Sequence, residues 1–289
     1  MDEARLLPGI RGRRWRPVAA ALVAVTVVGA VAAAATRERE RLTDRPQPIT
    51  FVPADAVDYP AVSFRPSRVE LLDRAETEAA AAPLAGSLGL EPPTQTAPAH
   101  RESRLTLRSV GAERPGVYAG ERGRAPCDPR SVIGDLAADP KLAELFTKAQ
   151  NSDISLAWRD PPLDPEELDA WSDDLTPVHL AVPTRVALHQ IDREGRLHKT
   201  EAVLAPGTAV GVDLYGVPRL RCRGGEPLTA PTQLNLHVEW ISPPGEAPPS
   251  WAVVIQRTAI PAEHLVLADT SGGLPFRRPV GTHGERDRG

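Results

Sequence analysis

Few side chains in this sequence have the type and spacing to do chemistry. The two cysteines, Cys127 and Cys222, come first. They could form a disulfide, remain as two buried thiols, or supply one nucleophile for a Cys-His pair. No base is marked near either cysteine, as a nucleophile requires. In an oxidising compartment the disulfide is expected, and closing a loop of that length stabilises by roughly 4–5 kcal/mol. His179, His189, His198, His237 and His264 fall in stretches that alternate like strands. None has the i, i+4 helical spacing or a C-x-x-C neighbour that would mark a zinc site. Asp269-Thr270-Ser271-Gly272 resembles an aspartic-protease turn, but Ser271 stands where glycine is needed and no second copy supplies the other carboxylate. A hairpin turn is expected there. The acidic residues Asp164, Glu166, Glu167, Asp169, Asp173 and Asp174 lack the spacing and glycine of a calcium loop and read as a solvated helix face. There is no P-loop, nucleophile elbow or dinucleotide fingerprint. No metal or cofactor is therefore expected. The remaining candidates are Tyr215, Arg219, Arg221, His189 and Asp213, on and beside one well-patterned strand pair, as a binding surface.

The elements that would position these groups begin with that pair. In Leu204–Leu228 a Pro206-Gly207 turn is followed by Val210, Val212 and Leu214 alternating with Ala209, Gly211 and Asp213. Tyr215-Gly216-Val217-Pro218 then breaks the run, which resumes over Arg219 to Cys222. Two short strands joined by a Gly-Pro corner are predicted.

Composition bounds the rest. The chain has 289 residues, with 31 Pro, 22 Gly and 4% aromatics, so much of it is expected to lie outside a core. A net charge of −4 argues against a nucleic-acid partner. Lysine occurs only at 141, 148 and 199, and the positive charge is otherwise arginine.

The N-terminus carries Arg5, Arg11, Arg13, Arg14 and Arg16, followed by an uncharged run from Val18 to Ala35. That run would span roughly 27 Å as a helix, close to a bilayer core. The arginines would hold residues 1–17 in the cytoplasm and place the remainder outside. A cleaved signal peptide ending at Ala33-Ala34-Ala35 is the alternative, although the run is longer than the usual apolar region of a signal. Residues 36–48 read as a charged stalk and 49–64 as a strand segment of the outer domain. Residues 65–115 read as a Pro/Ala-rich linker, with a transient helix over Val69–Ala82.

An α+β domain is expected over 116–280. Asp128-Pro129, Asp139-Pro140 and Asp164-Pro165 each pair an N-cap aspartate with a proline at the first helical position. From Pro177 the period changes to two, and strands follow around Val178–Val182, Val186–Leu188, Leu197–Leu204, Leu234–Trp240, Trp251–Arg257 and Leu265–Leu267. Short helices followed by a mainly antiparallel sheet, or a partly closed barrel, are predicted. Residues 281–289 read as a flexible tail.

GVYAG, CDPRSVIGDLAADPKLAELF, LTPVHLAVPTRVALHQ, LAPGTAVGVDLYGVPRLRC and LADTSGGLPFRRPVGT occur in this order. Together with ITFVPADAVDYPAVSF they resemble a family of uncharacterised, membrane-anchored extracytoplasmic domains from high-GC Gram-positive bacteria. The resemblance covers about residues 49–64 and 116–283. It implies a surface domain and no reaction. In that family the strand ends C-x-C-G-N-P-L; here Gly224 replaces the second cysteine and Glu226 the asparagine. A metal or redox role for a C-x-C pair therefore has no second sulfur. The expected role is a tethered, non-catalytic domain that binds an envelope polymer or a membrane protein. A carboxylate hydrolase using Asp213 or Asp269 with a strand histidine, and a sensor working through a partner, are the alternatives.

Overall fold

The computed structural model describes residues 46–56, 74–82, 84, 101–156, 162–192, 194–232 and 236–289. The chain divides between Arg45 and Pro46, and the unit Pro46–Gly289 is the one described. The apolar run Val18–Ala35 and much of the expected linker lie outside the described residues. Among those described, no helix is long and apolar enough to cross a membrane.

The unit is α+β. In chain order its strands are β1 (Gln47–Val52), β2 (Glu102–Arg104), β3 (Thr106–Gly111), β4 (Tyr118–Gly120), β5 (Thr176–Leu180), β6 (Thr184–Ile191) and β7 (Leu197–Leu204). There follow β8 (Ala209–Val212), β9 (Pro218–Arg221), β10 (Glu226–Thr229), β11 (His237–Ile241), β12 (Trp251–Gln256), β13 (His264–Asp269) and β14 (Phe276–Pro279). The helices are α1 (Arg74–Ala81), α2 (Pro129–Ala137), α3 (Pro140–Asn151) and α4 (Leu168–Asp173).

All fourteen strands join one sheet, ordered β14-β13-β4-β5-β8-β9-β10-β6-β7-β1-β11-β2, with β12 and β3 branching from β6. The order ends at two edges, so the sheet is not a closed barrel. It is also more mixed than the sequence suggests. Antiparallel pairs run through β5-β8-β9-β10-β6-β7. Parallel pairs place β1 between β7 and β11, β3 on β12, and β13 on β4.

The helix starts follow the aspartates. Asp128 accepts the Arg130 N–H at 3.1 Å and the Ser131 hydroxyl at 2.7 Å. Asp139 accepts the N–H groups of Lys141 and Leu142 at 3.0 and 3.3 Å. These bonds satisfy donors that a helix N-terminus leaves open. After Asp164 a 3₁₀ turn, Pro165–Glu167, leads into α4. The helices bury Val132, Ile133, Leu136, Phe146 and Trp171 against Leu220 of β9 and Leu175. The Phe146 and Trp171 rings meet edge-on, 5.7 Å apart. A larger core, including Val178, Leu180, Leu188, Leu204, Val210, Val212 and Leu267, lies along the middle strands.

Three expected boundaries are corrected. The linker assigned to 65–115 contains α1, β2 and β3; β3 pairs with β12 along its whole length. Its outward residues are polar because β3 lies at an edge, so the stretch lacks the apolar run of a central strand. The strand segment expected over 49–64 is present as β1 but runs Gln47–Val52, so the folded unit begins well before residue 116. Ile49 and Phe51 of β1 are fully buried against Val203, Val238 and Ala252. The tail 281–289 is not a loose end: Gly281 N–H donates to Thr176 Oγ1 at 2.8 Å, and Arg288 bridges to Arg277.

Phe51→Ala is expected to lower stability by about 3–5 kcal/mol in urea unfolding, the usual cost of emptying an aromatic core site. A loss below about 1 kcal/mol would make β1 peripheral to the fold.

Candidate functional site

The strand pair singled out in the sequence is present as β8 and β9, and its corner has a tight fit. Gly216 lies at φ +77°. An added Cβ there would overlap Ala112 Cβ, so both conformation and packing require glycine. Tyr118 braces the corner by donating its hydroxyl to Gly216 O at 2.6 Å. Burial pushes the Tyr118 phenol up, and the Asp213 charge adds to the effect.

The proposed binding surface is corrected. Arg219 and Arg221 are fully buried, and Asp213 and His189 nearly so; only Tyr215 is half-exposed. Their charge is used inside the protein. Arg219 donates Nε to Asp213 Oδ2 at 2.7 Å, Nη1 to Asp153 Oδ2 at 2.6 Å and Nη2 to Ser155 Oγ at 3.1 Å. Asp213 Oδ1 accepts the N–H groups of Tyr215 and Val217, both at 2.9 Å, which shapes the corner. Burial opposes the charge on Asp153. Arg219 and the N–H groups of Ala230 and Ser155 outweigh it and hold the carboxyl below the usual range. Arg221 grips Glu226 through Nε at 3.0 Å and Nη2 at 2.5 Å, with Nη1 on Ala56 O at 2.7 Å. Glu226, which departs from the resembled family's asparagine, is thus the counter-ion that lets Arg221 lie in the core.

Next to Arg221, Cys222 is joined to Cys127 across 95 residues, tying the chain before α2 to the end of β9. The disulfide packs against Ala209.

The five histidines expected on strands lie there: His179 on β5, His189 on β6, His198 on β7, His237 on β11 and His264 on β13. Among the described residues no three groups of metal-ligating type gather. His189 Nε2 meets Thr229 Oγ1 at 2.9 Å. Burial, with Lys199 opposite it on β7, lowers its pKa to about 4. His198 meets Asp192 at 2.7 Å in the β6–β7 turn. The hydrolase arrangement is not assembled. Asp213 is held by Arg219, and Asp269 accepts the N–H and hydroxyl of Ser271 in the expected turn.

The sequence did not expose a groove of about 570 Å³ beside β11. Trp240, only 6% exposed, forms part of its wall and donates Nε1 to Ser103 Oγ at 2.8 Å. Arg101 and Glu239 pair at 3.0 Å along one side. Ile241 and the β11–β12 loop, Gly245 to Pro248, line the other. The lining offers an aromatic edge, aliphatic surface and a charge pair, which suits binding. Ser242 and Glu246 also line it. Arg101 fell in the expected linker, so its approach to Glu239, 138 residues away, carried no local signal.

A family model described as "Domain of unknown function (DUF6777)" matches residues 108–281. The chain belongs to this family. The DUF6777 match begins within β3 and ends after β14, so it covers the ionic core and the disulfide but omits β1, β2 and Asp287. No curated protein matches the chain. No solved structure matches it either.

Glu226→Ala strands a buried guanidinium and is expected to cost about 3–5 kcal/mol, whereas replacing both partners with Arg221→Met and Glu226→Leu costs less. Urea unfolding of the single and double variants reads the difference, and a double variant worse than the single would contradict it. His189 supplies a pH dependence. The unfolded chain binds its proton below about pH 6.5, and the folded protein only below about 4. Stability therefore falls as pH drops from about 6.5 towards 4, by on the order of 2–3 kcal/mol. His189→Asn is expected to flatten that limb in melts across pH; an unchanged limb would place the acid sensitivity elsewhere.

Proposed function

We propose that the folded unit is a non-catalytic extracytoplasmic binding domain. Val18–Ala35 carries it as a single membrane-crossing helix, with residues 1–17 in the cytoplasm. The observation that carries this reading is the Cys127–Cys222 disulfide, because such bonds persist in oxidising compartments. The arginine-flanked apolar run supplies the matching topology. The partner is a cell-envelope component or a membrane protein, seated in the groove beside Trp240. A mixed aromatic, aliphatic and paired-charge lining suits a ligand with both apolar and polar faces.

On this reading the tether is short. With β1 starting at Gln47, only residues 36–46 separate the apolar run from the folded unit. Their fully extended reach is at most about 40 Å. Residues 57–100 would then be an insertion between β1 and β2 and would not extend the tether.

Intact mass and membrane fractionation of the native protein, with alkylation before and after reduction, test the reading. A full-length species in the membrane whose two thiols react only after reduction is expected. A soluble species beginning near Thr36, or thiols that alkylate without reductant, would contradict it.

A further inference from the structure

The last residues fold back along β14. Arg277 N–H donates to Arg288 O at 2.8 Å, and Arg288 N–H to Arg277 O at 2.9 Å. These two residues are therefore a directly opposed antiparallel pair. One step along, Arg278 faces Asp287, with Nε to Oδ1 at 3.0 Å and Nη2 to Oδ2 at 2.7 Å. That pair is buried, at 0% and 1% side-chain exposure. The remaining Arg278 donors reach the carbonyls of Pro177, Glu121 and Arg124. Asp287 also accepts the Gly123 N–H at 2.9 Å.

Side chains alternate along extended backbone. Fixing Arg278 and Asp287 inward turns Arg277 and Arg288 outward on the other face, side by side and exposed. Opposed residues of this kind have Cα atoms about 5.5 Å apart, and like charges there repel. The side-chain carboxylates of this final segment are engaged elsewhere: Asp287 with Arg278, and Glu285 with the His283 N–H and Arg286. Neither outward guanidinium has a carboxylate partner among the described residues.

We propose that Arg277 and Arg288 together form a binding site for a phosphoryl group. Two planar forks on one face can share a tetrahedral oxyanion, whose several oxygens accept from both. A carboxylate brings one charge and two oxygens, whereas a phosphate dianion brings two charges and enough oxygens to accept from both forks at once. The bound anion supplies the missing negative charge. The site is remote in sequence from the Trp240 groove and needs no particular location for the domain, so it stands or falls separately from the proposed function.

The test uses the full chain in neutral non-ionic detergent, melted in potassium chloride and in potassium phosphate at equal ionic strength. Tens of millimolar phosphate is expected to raise the melting temperature by about 2–4 °C. Arg277→Gln and Arg288→Gln each abolish the rise, while Arg104→Gln on β2 keeps it. Arg277→Glu, which replaces repulsion with attraction, melts higher than the native chain in chloride and loses the phosphate response. Titration with polyphosphate, and with phosphatidylglycerol added to the micelles, separates a polymer source from a lipid headgroup; a response to either that needs both arginines supports the site. No phosphate-specific rise, an equal rise in the Arg277 and Arg288 variants, or a lower melting temperature for Arg277→Glu in chloride would overturn it.

Discussion

A guanidinium removed from water must be neutralised and have its donors met, and this constraint organises the protein. Arg219, Arg221 and Arg278 are fully buried, and each combines a carboxylate close in sequence with an acceptor from a distant part of the chain. Arg219 ties the β8–β9 corner to the loop after α3 through Asp153. Arg221 ties the β9–β10 turn to the turn after β1 through Ala56. Arg278 ties β14 to β5, to the segment after β4 and to the final residues. Breaking such a pair on one side leaves a bare charge in the core. The geometry of three sheet regions therefore depends on a few ionic contacts as well as on apolar packing. The disulfide adds a covalent tie beside Arg221, where the helical segment meets the sheet.

The same constraint separates structure from function. The charged residues that a sequence reading offers as a binding surface are the ones buried to hold the strands. What remains for ligands is peripheral: the groove beside Trp240, and the outward arginine pair set by the inward pair Arg278–Asp287. Both sit on a framework whose interior charges are already matched, so neither site needs the core to rearrange.

Much of the fold was legible because its signals are local. The three Asp-Pro pairs carry cap and first turn within a few residues, and helices begin there. The two-residue alternation of β5 to β8 is contained within each strand, so it needs no distant partner to be read. The Gly216 corner was legible because only glycine suits that conformation. What was missed depends on distance or on sign. β3, reading TLRSVG, looks like linker because its exposed edge positions are polar, and its pairing with Trp251–Gln256 lies over a hundred residues away. Arg219 and Arg221 read as surface because charge ordinarily marks the surface; their counter-ions Asp153 and Glu226 are identified only once α3 and the β9–β10 turn are folded. The tail looks free because nothing local shows that Asp287 will meet Arg278. The Trp240 groove draws on Arg101 and on residues 239–248, which no single window of sequence contains.

The most direct test of the ionic core is native-state hydrogen exchange read by mass spectrometry across residues 209–229 and 276–288. If buried arginine pairs organise the sheet, the Val217 amide held by Asp213, the β9 amides and the Arg277 and Arg288 amides exchange only through global unfolding, at the same free energy as β1 and β7. Exchange of the 213–222 segment, or of 277–288, at a free energy well below that of β7 would show that these contacts decorate a sheet held together by its apolar packing alone.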